Sequence, residues 1–271
     1  VLKPPRRAIF RLSIEAALRR EGISRIAGVD EVGRGCWAGP VYAAAVVLPA
    51  SCYRDRRLLA RVVDSKLLSP SLREHLAADI LRLAVGVAVA WVEAPVIDRL
   101  NILGATRRTM YAALECLAEG PLLLDEPGGA AEEGRPEAGW PGGGGARLAG
   151  GPVTPQFVLT DAVPLPDLAW PHRAITRADR SCLAVAAASI VAKVVRDAEM
   201  CRRQALYPHL ALDRNKGYGT AAHARALYAA GLTPIHRRTF APMKYLLGLR
   251  DHVSGALPPP EPLPEPLPGR P

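Results

Sequence analysis

Apolar residues along this chain recur with two different periods, and the switches between them mark out the elements. Ile26-Ala27-Gly28-Val29-Asp30 is a short apolar run closed by an acid, which predicts a strand. After a turn over Gly33–Pro40, Val41 to Leu48 is apolar and β-branched and predicts a second strand. Leu72, His75, Leu76, Ile80 and Leu81 then recur at helical spacing behind Ser69-Pro70, with Ser69 placed as N-cap and Pro70 in the first turn. Val85–Val92 reads as a strand, Val96–Leu117 as a helix, and Phe157-Val158-Leu159-Thr160-Asp161 as another strand ended by an acid. Ser181 to Arg202 predicts a long Ala-rich helix, and residues 221–230 a further one. Strands alternating with helices predict an α/β domain whose last third is mainly helical.

Two interruptions and two ends complete the organisation. Residues 1–24 read as a poorly ordered N-terminal arm carrying a short helix around Leu12–Arg20. Between Ala118 and Gly151 the composition turns to Gly, Pro, Ala and Glu, with breakers at Gly120-Pro121, Pro127, Pro136, Pro141 and Gly142–Gly145. Such a stretch has few large apolar side chains to offset its ordering entropy, so about 119–151 is expected to be a flexible surface insertion in a body spanning 25–245. Residues 246–271 form a Pro-rich tail.

Composition narrows the class. The 271 residues are 49% hydrophobic, enough for a core without disulfides. The net charge of +9 favours a polyanionic partner. The five cysteines are odd in number, widely spaced and contain no C-x-x-C, which argues against a disulfide framework or a zinc knuckle. No apolar run reaches the length of a membrane span, and Val1 to Arg20 lacks the apolar core of a secretion signal. A cytoplasmic monomer without membrane attachment is expected.

Four carboxylates occupy positions with chemical meaning. Asp30 and Glu31 are adjacent at the end of the first strand, Asp161 ends a later one, and Asp179 precedes the Ala-rich helix. Each alone is more often a turn or cap residue. Brought together, they would repel one another and demand a hard divalent cation, Mg²⁺ or Mn²⁺. Two such ions about 4 Å apart activate water and stabilise the leaving oxygen of a phosphodiester. The context is Gly28-Val29-Asp30-Glu31-Val32-Gly33-Arg34-Gly35, continuing to Ala38-Gly39-Pro40. Its spacing fits neither a dinucleotide fingerprint nor a P-loop. Gly33, Arg34 and Gly35 can instead present backbone groups and a guanidinium to a phosphate or sugar edge.

Gly28 to Pro40 resembles the signature of the ribonuclease HII family. Further blocks follow in family order: Asp64-Ser65-Lys66, Leu100 to Thr106, Pro155 to Asp161, Ala178-Asp179 with Ala187 to Val194, Asn215 to Thr220, and His236 to Pro242. The resemblance implies an RNase H-like fold: a mixed central sheet flanked by helices, with a helical C-terminal part. It implies a metal-dependent ribonuclease H that cuts the RNA strand of RNA–DNA hybrids. It also implies cutting 5′ of ribonucleotides embedded in duplex DNA, by two-metal-ion catalysis that leaves 3′-hydroxyl and 5′-phosphate ends. Asp30, Glu31, Asp161 and Asp179 would hold Mg²⁺ or Mn²⁺. Gly33, Arg34 and Gly35 with Tyr218 would read the ribose 2′-hydroxyl, the one group that distinguishes RNA from DNA at a nucleotide. Ser65, Lys66, Asn101 and Lys193 are candidates for phosphate contacts, and Arg237 and Arg238 are read as further phosphate contacts or solvated surface.

The chain departs from the family pattern in places. Ala162 stands where Gly is usual, Asn215 where His is frequent, and Cys36-Trp37 where Pro-Leu is common. The insertion also creates a rival acid, since Leu122-Leu123-Leu124-Asp125 imitates a strand ending in a carboxylate. Asp161 is preferred because Pro164 and Pro166 follow it and its spacing to Asp179 suits the family.

Overall fold

Alternation along the strands puts apolar side chains on both faces of one sheet, so helices are needed on both sides. The computed structural model describes residues 13–55, 62, 68–123 and 142–247. The expectations for Ser65, Lys66, Asp125 and the Pro-rich tail fall outside the described residues. Strands β1 (Ile26–Val32), β2 (Val41–Val47), β3 (Gly86–Val92), β4 (Leu122–Leu123), β5 (Gly143–Gly150), β6 (Phe157–Asp161) and β7 (His172–Ile175) form a mixed seven-stranded sheet. Its order is β4-β5-β3-β2-β1-β6-β7, with β1 parallel to β6, β6 parallel to β7, and the remaining pairs antiparallel.

Helices α1 (Ser13–Arg20), α2 (Pro70–Leu83), α3 (Ala94–Ala118) and α4 (Leu183–Arg203) supply the layers. On one face Ala27, Val29, Ala43, Ala45, Ala88 and Ala90 pack with Met110, Leu114 and Leu117 of α3. On the other, Ala44, Val46, Val87 and Val89 pack with Leu76 and Ile80 of α2 and with Ala187 and Ile190 of α4. Ser69 caps α2 as expected, its hydroxyl accepting from the Leu72 N–H. Short helices α5 (Leu212–Asn215), α6 (Ala221–Ala230) and α7 (Ala241–Leu246) follow.

Three sequence expectations change. First, residues 122–123 and 143–150 of the 119–151 stretch, expected to lie in a flexible insertion, form β4 and β5 of the sheet. A Cβ on Gly143 would lie 2.3 Å from the Trp91 carbonyl oxygen, and one on Gly145 would lie 2.2 Å from the Cys116 Sγ. Glycine is what lets the strand fit, so a count of apolar side chains misses it. Second, α1 is docked rather than loose: the buried Glu15 carboxylate accepts from the Leu183 and Ala184 N–H groups at 2.8 and 3.0 Å, supplying the cap that Cys182 does not. Third, the helix predicted over Val96–Leu117 is kinked at Asn101 (φ 59°, ψ 169°). The Asn101 Oδ1 accepts from Leu103 and Gly104 N–H, so a second helical segment starts there.

Candidate active site

Gly28 allows α4 to lie directly against β1, since a Cβ there would meet the Ala184 main chain at 2.1 Å. That contact sets Asp30, two residues on, against α4, where the Ser189 side chain hydrogen-bonds its carboxylate. Asp30 is buried, and one of its oxygens also accepts from the Glu31 N–H at 2.9 Å. Burial, then the charges of Glu31 and Asp161, hold the Asp30 carboxyl well above the usual range. Burial also raises Glu31, against the pull of Arg34, whose Nη1 lies 3.2 Å from Oε1. The other oxygen of Glu31, Oε2, is buried and has no hydrogen-bond partner.

Parallel pairing of β6 with β1 brings Asp161 beside these two acids. The Ala178 N–H donates to Asp161 Oδ1 at 2.8 Å, which ties the 3₁₀ turn carrying the buried Asp179 to the same end of the sheet. The rival Asp125 lies outside the described residues. Ala162 takes a left-handed φ of 56°, the conformation for which glycine is suited, and so preserves the turn after Asp161. Among the described residues no three His, Cys, Asp or Glu side chains form a ready-made metal cage; Glu31 is turned to Arg34. The donor set still suits a hard cation: oxygen ligands only, mutual repulsion, and an unpartnered buried oxygen at Glu31.

The substrate candidates divide. Arg34 and Gly35 are exposed on the loop after β1, and a Cβ on Gly35 would meet nothing within 4 Å. Tyr218 is 40% exposed and its phenol meets Cys36; burial of its inner part and that neighbour raise its pKa. The Lys193 Nζ lies 5.8 Å from the Tyr218 ring centre and pairs with Asp197 at 2.8 Å. Gly33, Arg34, Gly35, Lys193 and Tyr218 therefore share a neighbourhood. The Asn101 side-chain oxygen is engaged in its helix cap.

Arg237 requires a correction. It is fully buried, neither a phosphate contact nor solvated surface, and burial lowers its pKa to about 10. Sequence reasoning also missed Arg196, equally buried, which donates to the carbonyls of Pro40 and Lys216 at 3.0 and 2.9 Å. His223 and His236 are a second omission, with their Nε2 atoms 3.1 Å apart in the interior. The only sequence signal for these groups was the presence of two of them in the His236–Pro242 block. All five cysteines are free, and Cys201 alone is exposed. Among the described residues no helix is long and apolar enough to cross a membrane.

The family model described as Ribonuclease HII matches residues 27–120 and 147–243. Ribonuclease HII of Chloroflexus aurantiacus is 42% identical over 232 residues, 86% of this chain and 93% of that protein. Among solved structures, ribonuclease H2 of Pyrococcus horikoshii superposes with a TM-score of 0.58 at 22% identity, covering 83% of this chain and 98% of that one. Bst-RNase HIII in complex with Mn²⁺ gives a TM-score of 0.53 at 19% identity, covering 86% and 73%. At these identities the two structures speak for the fold, which is RNase H-like.

Proposed function

This chain belongs to the ribonuclease HII family and is a ribonuclease H hydrolase, and from that premise we propose that it both cuts the RNA strand of RNA–DNA hybrids and nicks duplex DNA 5′ of an embedded ribonucleotide. The observation that carries the reading is the meeting of Asp30, Glu31 and Asp161 at the end of β1 and β6, beneath a loop whose exposed residues are Arg34 and Gly35.

Asp30, Glu31, Asp161 and Asp179 would hold Mg²⁺ or Mn²⁺, which when bound activates water and stabilises the leaving oxygen. Glu31 Oε2, unpartnered and buried, is the oxygen most in need of such a partner. Ser189 keeps the Asp30 carboxylate oriented. The amides of the Gly33–Gly35 loop would bond the ribose hydroxyl while Tyr218 packs on the adjoining sugar, and Lys193 beside it would meet a phosphate. The catalytic unit would span residues 25–245.

The test is cleavage of a duplex with one ribonucleotide, alongside an all-RNA–DNA hybrid, with Mg²⁺ or Mn²⁺ added separately and a chelator control. Nicks 5′ of the ribonucleotide with 3′-hydroxyl and 5′-phosphate ends are expected. Cleavage of the hybrid alone under both metals would overturn the embedded-ribonucleotide reading.

A further inference from the structure

Arg237 is a cation buried among main-chain oxygens. Its Nη2 donates to the Gly33 carbonyl at 2.7 Å and the Gly39 carbonyl at 2.9 Å, its Nη1 to Arg34 at 2.8 Å, and its Nε again to Gly39 at 3.1 Å. A trans peptide unit is planar, with C=O and N–H pointing opposite ways. Drawing the Gly33 and Arg34 carbonyls inward therefore turns the Arg34 and Gly35 N–H groups outward. Both residues are exposed. Two successive outward amides make a concave donor pair suited to an oxygen ligand. Gly33 adopts a left-handed φ of 94°, and a Cβ on it would lie 2.2 Å from Arg196 Nε, so the loop rests directly on the second buried arginine.

The same hub reaches Tyr218. The Arg237 N–H donates to the Trp37 carbonyl, and the Trp37 N–H donates to the Gly217 carbonyl at 2.8 Å. Next to Arg237 in the chain, His236 accepts from the Thr233 N–H at its Nδ1, at 3.0 Å. Its Nε2 must then carry the proton and donate to His223 Nε2, leaving His223 Nδ1–H to donate to the Tyr218 carbonyl at 2.9 Å. Every proton in this chain has one consistent place. The His223 ring also lies 5.6 Å from that of Trp37.

We infer that Arg237 is a positioning residue for ribose recognition: it aims the Arg34 and Gly35 amides outward and, with the His236–His223 pair, holds Tyr218 in register with them. The inference rests on the reading that these amides and Tyr218 meet the ribose. A guanidinium is required because only its planar fork serves three carbonyls at once; an ammonium keeps the charge but not the geometry.

Arg237→Lys, His223→Phe and, as reference, Tyr218→Ala are compared with the wild type in two measurements. One is the kcat/KM ratio between a single embedded ribonucleotide and a long hybrid, where sliding offers other registers. The other is amide hydrogen exchange over 33–39 and 216–219. Arg237→Lys is expected to lower the ratio by roughly tenfold or more, since small misplacements of a positioning group are costly, and to speed exchange in both segments. His223→Phe keeps the ring against Trp37, so it is expected to lower the ratio while speeding exchange mainly over 216–219. A Tyr218→Ala ratio at the wild-type value would sink the ribose reading itself; exchange would then decide the brace alone. A reduced ratio in Tyr218→Ala with wild-type ratios and exchange in the other two would overturn the brace. If Arg237→Lys fails to fold, His223→Phe decides by the same criteria.

Discussion

Asp30 occupies a position that a fold without function would give to a neutral residue. Burial and the charges of Glu31 and Asp161 oppose its ionisation, so the folded chain holds an unfavourable charge until a cation meets it. Asp30→Asn is accordingly expected to stabilise the metal-free protein by roughly 1–2 kcal/mol while abolishing cleavage. Thermal melts with and without Mg²⁺ check the same reasoning: added metal should raise the wild-type Tm and leave the Asn variant's nearly unchanged. A metal-free Asn variant that melts lower than wild type would contradict it. Ala162 carries a smaller strain of backbone origin. A left-handed conformation costs an L-residue about 1–2 kcal/mol, partly offset by the flexibility glycine would add to the unfolded chain. Ala162→Gly should therefore gain about 0.5–1 kcal/mol in denaturant titration, with cleavage unchanged. The strand-end positions of Asp30, Glu31 and Asp161 were legible in the sequence because apolar runs closed by an acid record them directly; the turn at Ala162 was not, since Ala stands there where Gly is usual. The Ser189 contact was not, since it depends on how closely α4 lies on β1, and neither was the unpartnered Glu31 Oε2.

Elements were legible wherever side chains announce them. The apolar, β-branched runs of β1, β2, β3 and β6 and the capping Ser69 lie in the sequence as residue type, and the structure has those elements within a few residues of the expected bounds. β5 was illegible for the opposite reason: its first three residues are glycine, and it is held by main-chain pairing with β3 from Gly143 opposite Val92 to Gly150 opposite Gly86. This divides the insertion into two parts with different expected tolerance. Replacing 125–141 by a short Gly/Ser linker leaves both β4 and β5, and loop length enters stability only logarithmically, so cleavage should stay within about twofold of wild type. Extending the replacement through Gly150 removes β5, bares the edge of β3 over Ala88 and Ala90, and should cost roughly 3 kcal/mol or more. Cleavage assays and melts on the two variants check both halves. Loss of activity in the shorter one would favour Asp125 over Asp161 as a metal ligand.

At the scale of the whole molecule, the ordered motifs meet because parallel β1 and β6 end together and the C-terminal segment folds back over the loop after β1. That return path was illegible: nothing in the sequence distinguishes Arg237, sealed in the interior, from Arg238 beside it. The interior so formed has a pH signature. His236 is held neutral by burial and by His223, with its pKa lowered to about 4, and burial lowers His223 as well. An unfolded histidine takes up a proton near pH 6.5. Between about pH 6.5 and 4 the unfolded chain therefore binds protons that the folded one refuses. Stability from this pair is complete above about 6.5 and is lost as pH falls toward 4. His236 alone accounts for roughly 3–4 kcal/mol of that loss, because each tenfold weakening of proton binding in the folded state corresponds to about 1.4 kcal/mol. Buried Glu15, Asp30 and Glu93 work in the other direction, because each has a raised pKa and its protonation on acidification favours the folded state. The wild-type curve mixes these trends, so the His contribution is read as a difference. His236→Gln removes one titrating ring and leaves the carboxylates in place. Subtracting its urea-derived stability from the wild type's at each pH should give a curve flat above about 6.5 and falling steadily below it. A difference that stays level down to pH 4.5 would mean that His236 titrates alike in both states and is not sealed as the structure has it.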